Sequence, residues 1–170
     1  MNVAVRRAEP RDLDFLLELM NQDDVVQNLA VVRPRDRESL AAEIERSQAE
    51  PQEFGRFVIE VDGRPAGLMG FEVSNRRSRI ANLGSLALHP DFRGRRLADR
   101  AARLFQRHLI FDLGYHRLQL EVYGFNERAQ VHAERSGFVR EGVRRKAYRR
   151  NDEWVDSVIY GLVREDLEPS

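Results

Sequence analysis

The segment with the clearest potential for chemistry runs from Leu86 to Ala98 and reads LALHPDFRGRRLA. Its apolar start predicts the end of a strand, and the amphipathic run after Arg96 predicts a helix. The first N–H groups of a helix have no partner within it, and the helix dipole is positive there. Such an end binds phosphate oxygens, and Arg93, Arg95 and Arg96 add positive charge. We therefore predict a phosphate-binding loop; a solvated arginine-rich connection is the alternative interpretation.

The hydrophobic pattern around this loop predicts an α/β (α+β) order of elements. Strands are predicted at Val3–Arg7, Phe57–Val61, Ala66–Val73, Ile80–Leu88, Arg117–Tyr123, Val139–Tyr148 and Glu153–Val163. Helices are predicted from Pro10 to Met20 and at Arg37–Gln48, Arg96–Ile110 and Glu127–Arg135. One mixed sheet of about six to seven strands with helices on both faces is the simplest packing. With 170 residues and no repeat or linker, we expect one domain over residues 1–170.

The composition narrows the classes of function. The 28 basic and 28 acidic residues cancel, which argues against a nucleic-acid binder. The sequence has no cysteine, so disulfides, thiolate nucleophiles and cysteine-based metal sites are excluded, and we predict no metal. No apolar run approaches the ~20 residues that a transmembrane helix needs. We therefore expect a cytoplasmic protein without a membrane partner.

Several motifs around the loop occur in the order typical of one superfamily. Pro90–Ala98 resembles the pattern Gln/Arg-x-x-Gly-x-Gly/Ala. Asn126–Ala129 followed by Gly137-Phe138 resembles the pattern Asn-x-x-Ala…Gly-Phe. Glu141-Gly142 and Trp154–Asp156 resemble the closing strands. On these motifs, the chain from Phe57 to Leu167 resembles the GCN5-related N-acetyltransferase (GNAT) superfamily. Within it, the chain resembles the branch of ribosomal-protein alanine acetyltransferases and spermidine acetyltransferases.

The resemblance implies a GNAT fold in which the strands Ile80–Leu88 and Arg117–Tyr123 run parallel and splay apart. The pantetheine arm of acetyl-CoA, the cosubstrate, would lie in that gap and pair with the main chain of Leu86, Ala87 and Leu88. Asn126 would contact the pantetheine or the phosphate end. The residues implied to hold the pyrophosphate are Arg93, Gly94, Arg95, Arg96, Leu97 and Ala98.

The resemblance also implies direct transfer of the acetyl group to an amine, and here the sequence departs from the family pattern. The usual loop glycine is Arg96, and glycine allows close approach of the backbone to a pyrophosphate. The tyrosine that protonates the leaving thiolate in many members is Ala133. The position of the glutamate in spermidine-type members aligns with Leu83.

Three residues are the candidate catalytic replacements. Tyr123 could reach the sulfur, although an aromatic residue on a strand also packs on a sheet. Glu72 and Glu121 could act as bases through water, or could be solvated outward-facing side chains.

The candidate residues for binding the amine that accepts the acetyl group are acidic. Asp23 and Asp24 could attract a cationic amine, and a solvated acidic face explains them equally well. Asp156 could contact substrate or serve as a structural hydrogen-bond acceptor.

Three functions follow from these observations. The first is an acetyl-CoA-dependent N-acetyltransferase that acts on a primary amine of a small molecule or a protein N-terminus, with a homodimer as a candidate assembly. The alternative is a CoA-binding GNAT-fold protein, a sensor or binding protein with little or no catalysis, which the Arg96 and Ala133 departures favour. A third, ribosome- or RNA-associated role would use Arg76, Arg77 and Arg79 with the loop arginines, but the neutral charge disfavours it.

Overall fold

The structure is a computed structural model that describes residues 1–22, 25, 36–84 and 86–167. Its strands are β1 (Val3–Arg7), β2 (Phe54–Val61), β3 (Arg64–Asn75), β4 (Ile80–Leu83), β5 (Ala87–Leu88), β6 (Arg117–Tyr123), β7 (Val139–Arg150) and β8 (Glu153–Val163). Its α-helices are α1 (Leu13–Met20), α2 (Arg37–Ala49), α3 (Leu97–Arg107), α4 (Glu127–Arg135) and α5 (Arg164–Leu167).

The strands form one mixed sheet in the order β1-β2-β3-β4-β6-β8-β7, with β5 paired to β3. The predicted α/β class is therefore confirmed, including the parallel pair, which is β4 with β6. The chain divides into two compact units, Met1–Val73 with Leu83–Phe105 and Ser74–Asn82 with Gln106–Ser170. No helix in the described part of the chain is long and apolar enough to cross a membrane.

The first unit is built on an antiparallel meander. β1 pairs with β2, and β2 pairs with β3 through the Asp62-Gly63 turn that the sequence predicts. Both turn residues have positive φ, 51° and 79°, as a two-residue hairpin turn requires. α1 and α2 contribute apolar side chains to one core. Its buried members are Ala8, Leu16, Leu19, Met20, Val25, Leu40, Ile44, Val58 and Leu68.

The second unit is built around β6. β4 pairs with β6 in parallel from Ile80–Arg117 to Asn82–Gln119, and β8 pairs with the whole of β6 in the antiparallel sense. β7 then pairs with β8 and ends the strand order. Leu118 of β6 and Val158, Tyr160 and Leu162 of β8 are buried, which gives this unit its own apolar side.

Several predicted elements have boundaries that differ from those in the structure. The single strand Ile80–Leu88 is two strands, because the chain leaves β4 after Leu83 and Gly84 N–H donates to Gly70 O at 2.9 Å. The helix predicted to end at Ile110 is α-helical only to Arg107, and a π-helical turn follows at His108–Asp112. β7 is also longer than predicted and ends at Arg150 rather than Tyr148.

Candidate functional site

The predicted phosphate loop is a turn that delivers the chain into α3. A short 3₁₀ turn spans Pro90–Phe92, and His89 Nδ1 caps it by accepting Asp91 N–H at 3.2 Å. Arg93 Nε then donates to Leu88 O at 3.0 Å, which ties the loop to the strand before it. The first intrahelical bond of α3 is Arg100 N–H to Arg96 O, 3.4 Å. The N–H groups before it lie at the positive end of the helix dipole, as a phosphate site needs.

Arg96, which the resemblance aligns with a loop glycine, has a backbone conformation that favours glycine. Its φ is +55°, in the left-handed region, while its side chain is exposed to solvent. The left-handed conformation costs a non-glycine residue about 1–2 kcal/mol. At this position the backbone is therefore in a conformation that glycine adopts without strain, and Arg96 adds a solvent-facing charge.

Replacing Arg96 by Gly should raise the free energy of unfolding by about 0.5–1 kcal/mol, because relief of the left-handed strain exceeds the entropy gained by the unfolded chain. The matched control is Arg95→Gly, which removes the neighbouring exposed arginine where φ is not positive. The free energy of unfolding of this control should fall by about 0.5–1 kcal/mol. Urea denaturation measures both variants, and changes of the same sign would contradict the strain at Arg96.

Leu86, Ala87 and Leu88 lie just before this loop. Ala87 and Leu88 form β5, which pairs with β3 as Leu68–Ala87 and Gly67–Leu88. His89 N–H extends this pairing by donating to Ala66 O at 2.7 Å. Ala87 and Leu88, two of the three residues implied to pair with pantetheine, are therefore held by β3.

In the second unit, the parallel pair opens where the resemblance implies a gap. The pairing of β4 with β6 stops at Asn82–Gln119, where Gln119 Nε2 donates to Asn82 Oδ1 at 2.7 Å. β6 continues to Tyr123 with β8 as its partner on the other side. From residue 120 onward, no described strand pairs with the edge of β6 that β4 occupies earlier.

Glu121 lies on this stretch of β6, and its carboxylate is held by side chains from two other strands. Oε2 accepts the Tyr148 hydroxyl at 2.5 Å and the Ser157 hydroxyl at 2.9 Å, and Oε1 accepts Arg144 Nη1 at 2.8 Å. Burial alone would raise the pKa of Glu121, but the hydrogen bonds and the Arg144 charge lower it below the ordinary value. The carboxylate is therefore ionised at neutral pH and is a weak base.

Tyr123, at the end of β6, lies in an aromatic cluster. Its ring stacks on Phe125 with centroids 5.3 Å apart and meets Tyr148 edge-on at 5.8 Å. Arg150, which is buried, donates to the Tyr123 hydroxyl at 3.4 Å and lies over the ring at 5.1 Å. The structure thus brings Tyr123 and Glu121 together through Tyr148, a residue that the sequence analysis missed.

Asp156 and Asn126 both make local structural hydrogen bonds. Asp156 Oδ1 accepts the Lys146 N–H at 2.8 Å, which is the structural alternative considered for this residue. Asn126 is the N-cap of α4, and its Oδ1 accepts the Ala129 N–H at 3.1 Å.

Of the remaining catalytic and acceptor candidates, the structure describes only Glu72. Glu72, in the first unit, is exposed and 3.8 Å from Arg46 Nη1. Asp23 and Asp24 lie outside the described residues. Across the residues that are described, no group of three or more His, Cys, Asp or Glu side chains could hold a metal ion.

Comparison with known proteins gives the class of this chain. The family model "Acetyltransferase (GNAT) domain" matches residues 2–139. The spermidine N(1)-acetyltransferase of Escherichia coli K12 is 33% identical over 147 residues, covering 83% of this chain and 75% of that protein. The chain belongs to the GNAT acetyltransferase family.

Two solved structures share the fold. One is the spermidine N-acetyltransferase of Vibrio cholerae in complex with CoA and spermine, with a TM-score of 0.86, 21% identity and 96% of each chain covered. The other is RimL, a ribosomal L7/L12 alpha-N-protein acetyltransferase in complex with coenzyme A, with a TM-score of 0.84 and 18% identity. It covers 96% of this chain and 94% of that chain.

Proposed function

We propose that this protein is an acetyl-CoA-dependent N-acetyltransferase that transfers an acetyl group directly to a primary amine of a small molecule or a protein N-terminus. Residues 1–170 would act as one N-acetyltransferase domain, in the cytoplasm. The loop geometry carries the proposal: a non-glycine residue is held at φ +55° immediately before the N-terminus of α3, where a pyrophosphate would bind. Relatives named for spermidine and for a ribosomal protein N-terminus support both acceptor classes.

The residues of each unit would have distinct parts in this function. In the first unit, Arg93–Ala98 would bind the pyrophosphate through the N–H groups of α3 and the arginine side chains. The main chain of Leu86–Leu88 would hydrogen-bond the pantetheine arm. In the second unit, no described strand pairs with one edge of β6 after Gln119, and the backbone groups of that edge could bind an extended ligand. Asn126 keeps the start of α4 in place there.

A second candidate function is CoA binding with little catalysis. The observation that favours it is Ala133, which is 3% exposed on α4 and offers no proton to a leaving thiolate. Turnover separates the two candidates, whereas ligand binding alone does not.

Acetyl-CoA and CoA should each stabilise the protein against heat. A ligand at about 100 times its dissociation constant adds about 2.7 kcal/mol, which raises the Tm of a chain of this size by about 5–10 °C. Pantetheine, which lacks the pyrophosphate, is the control ligand and should give a much smaller shift. Equal shifts for pantetheine and CoA, or no shift for either, would contradict the pyrophosphate site.

The same sample can then be tested for turnover. The chain has no cysteine, so a thiol reagent detects only the CoA that is released. Release of CoA that depends on an added amine supports the enzyme, and CoA binding without release across a panel of amines supports the binding protein.

A further inference from the structure

Three buried side chains of the second unit each carry an oxygen atom that has no hydrogen-bond partner among the described residues. These atoms are the amide oxygen of Gln106, the hydroxyl of Ser136 and the hydroxyl of Tyr160. The three residues are 1%, 5% and 0% exposed. Roughly nine in ten or more buried polar atoms in native proteins have a partner, and burial without one destabilises the fold. Three such atoms in one unit therefore point to a bound partner other than a side chain.

Two of the three oxygens belong to residues that are joined directly. Gln106 lies in the last turn of α3, and its Nε2 donates to the main-chain oxygen of Ser136 at 3.0 Å. Ser136 is the residue that ends α4. Turning the amide over would place two acceptors against each other, so the Gln106 amide oxygen is the atom left without a partner. This oxygen and the Ser136 hydroxyl thus belong to one buried junction between two helix ends.

Tyr160 approaches the same helix end from β8. Leu162, two residues further on, shares its face of the strand, and a methyl group on Gly137 would lie 3.7 Å from Leu162 Cδ1. The pKa of Tyr160 is raised by burial first and by the charge of Glu134 second, so the phenol lies within reach of that carboxylate. Glu134 and Gly137 flank Ser136 in the chain. The Tyr160 hydroxyl therefore lies beside the end of α4.

The hydrogen-bonding capacity of the three oxygens indicates what they bind. An amide oxygen only accepts, whereas each hydroxyl can donate one hydrogen bond and accept others. All three groups are neutral, which favours a neutral ligand. A water molecule that donates to Gln106 Oε1 and to Ser136 Oγ and accepts the Tyr160 O–H would give every one of these atoms a partner. A site of this kind needs two to four polar groups, and the junction has three.

We propose that the ends of α3 and α4 and the middle of β8 enclose a binding site for one buried water molecule, held by Gln106, Ser136 and Tyr160. Globular proteins contain on the order of one buried water per 27 residues, typically with about three hydrogen bonds to buried polar groups. The water links three elements that are far apart in sequence, and it stabilises the packing of α4 on β8. Such a site does not depend on whether the protein transfers an acetyl group.

Tyr160→Phe distinguishes a hydroxyl bound to water from one that has no partner. If the hydroxyl binds the water, its removal should lower the Tm by about 2–4 °C, because a buried hydrogen bond is lost. Ser136→Ala should lower the Tm by a similar amount. The control is Ser74→Ala, which removes an exposed serine hydroxyl from the same unit and should leave the Tm unchanged. Differential scanning calorimetry measures all three variants.

The double variant tests whether Ser136 and Tyr160 bind the same molecule. Their hydroxyls form no hydrogen bond with each other or with any other described residue. If both hold one water, the first substitution already weakens its binding, so the Tm loss of the double variant should be smaller than the sum of the two single losses. A high-resolution crystal structure of the wild type should also show one ordered water within about 3.2 Å of all three oxygens.

Two results would overturn the site. A Tyr160→Phe variant with an unchanged or higher Tm would show that the hydroxyl has no bound partner, because removal of an unpartnered buried polar group is neutral or stabilising. Strictly additive Tm losses for Ser136→Ala and Tyr160→Phe would show that they do not share a ligand. If a variant fails to fold, the crystal structure of the wild type decides alone, and an empty junction or direct hydrogen bonds among the three side chains would contradict the proposal.

Discussion

Replacing Gly67 by Ala is expected to lower the free energy of unfolding by about 3 kcal/mol and to weaken acetyl-CoA binding. A methyl group on Gly67 would lie 2.4 Å from the backbone oxygen of Ala87 and 2.8 Å from Leu88 Cδ2. The side chain could rotate away, but the oxygen cannot move unless β5 leaves β3. Because the chain enters the phosphate loop directly from β5, the same displacement would disturb the main chain proposed to hold the cosubstrate.

Thermal unfolding with and without acetyl-CoA measures both effects. The Tm should fall by roughly 6–12 °C, and the stabilisation by ligand should shrink. The control is Gly142→Ala on β7, where an added methyl group meets nothing within 4 Å and φ is not positive. That variant should match the wild type or gain slightly, since alanine restricts the unfolded chain. If Gly67→Ala unfolds like the control, the close packing of β5 on β3 is wrong.

The contrast between β5 and β6 explains how much of the fold the sequence could reveal. β6 and α4 have their predicted boundaries because an alternating pattern and an N-cap asparagine are local signals. The break after Leu83 has only a weak local signal, because Gly84 and Ser85 interrupt the apolar run without fixing how the chain continues. The structure fixes it through Gly84 N–H, which donates to Gly70 O, and through Leu88, which pairs with Gly67. Those partners are distant in sequence, and pattern reasoning does not see them.

The candidate site likewise has one part that the sequence could predict and another that it could not. The loop was predictable because a strand end, three arginines and a helix start are adjacent in sequence. Tyr148 was not predictable, because its contact with Glu121 crosses 27 residues and depends on a bulge that shifts the register by two. The three consecutive charged residues Arg144, Arg145 and Lys146 interrupt the alternation but do not show by how much the register shifts.

Replacing Asp12 by Asn is expected to cost about 3 kcal/mol of unfolding free energy at pH 7. The Asp12 carboxylate is only 3% exposed and accepts both terminal nitrogens of Arg6, at 2.7 and 2.9 Å, as well as Glu9 N–H at 2.8 Å. An amide of the same shape presents its NH₂ group to one of these donors and leaves the half-buried Arg6 charge undercompensated. The start of α1 would then lose its attachment to β1.

The difference in unfolding free energy between Asp12→Asn and the wild type should become smaller as the pH falls. Burial would raise the pKa of Asp12, but the Arg6 hydrogen bonds, Glu9 N–H and the Arg6 charge together hold it below the ordinary value. A folded pKa below the unfolded value of about 3.9 means that the stabilisation is complete well above pH 4 and is lost as the pH falls through the folded pKa. Urea unfolding of both proteins between pH 7 and pH 2 should therefore converge at the acid end.

Asp14→Asn is the matched control for this prediction, because Asp14 is 81% exposed and pairs with Arg37 at the surface. Exposed pairs contribute about 0–1 kcal/mol, so this variant should unfold close to the wild type across the same pH range. A cost for Asp12→Asn that persists unchanged at pH 2 would show that the carboxylate charge is not its source. The loss would then come from packing around the amide, since protonation of Asp12 in the wild type removes the same charge that the substitution removes.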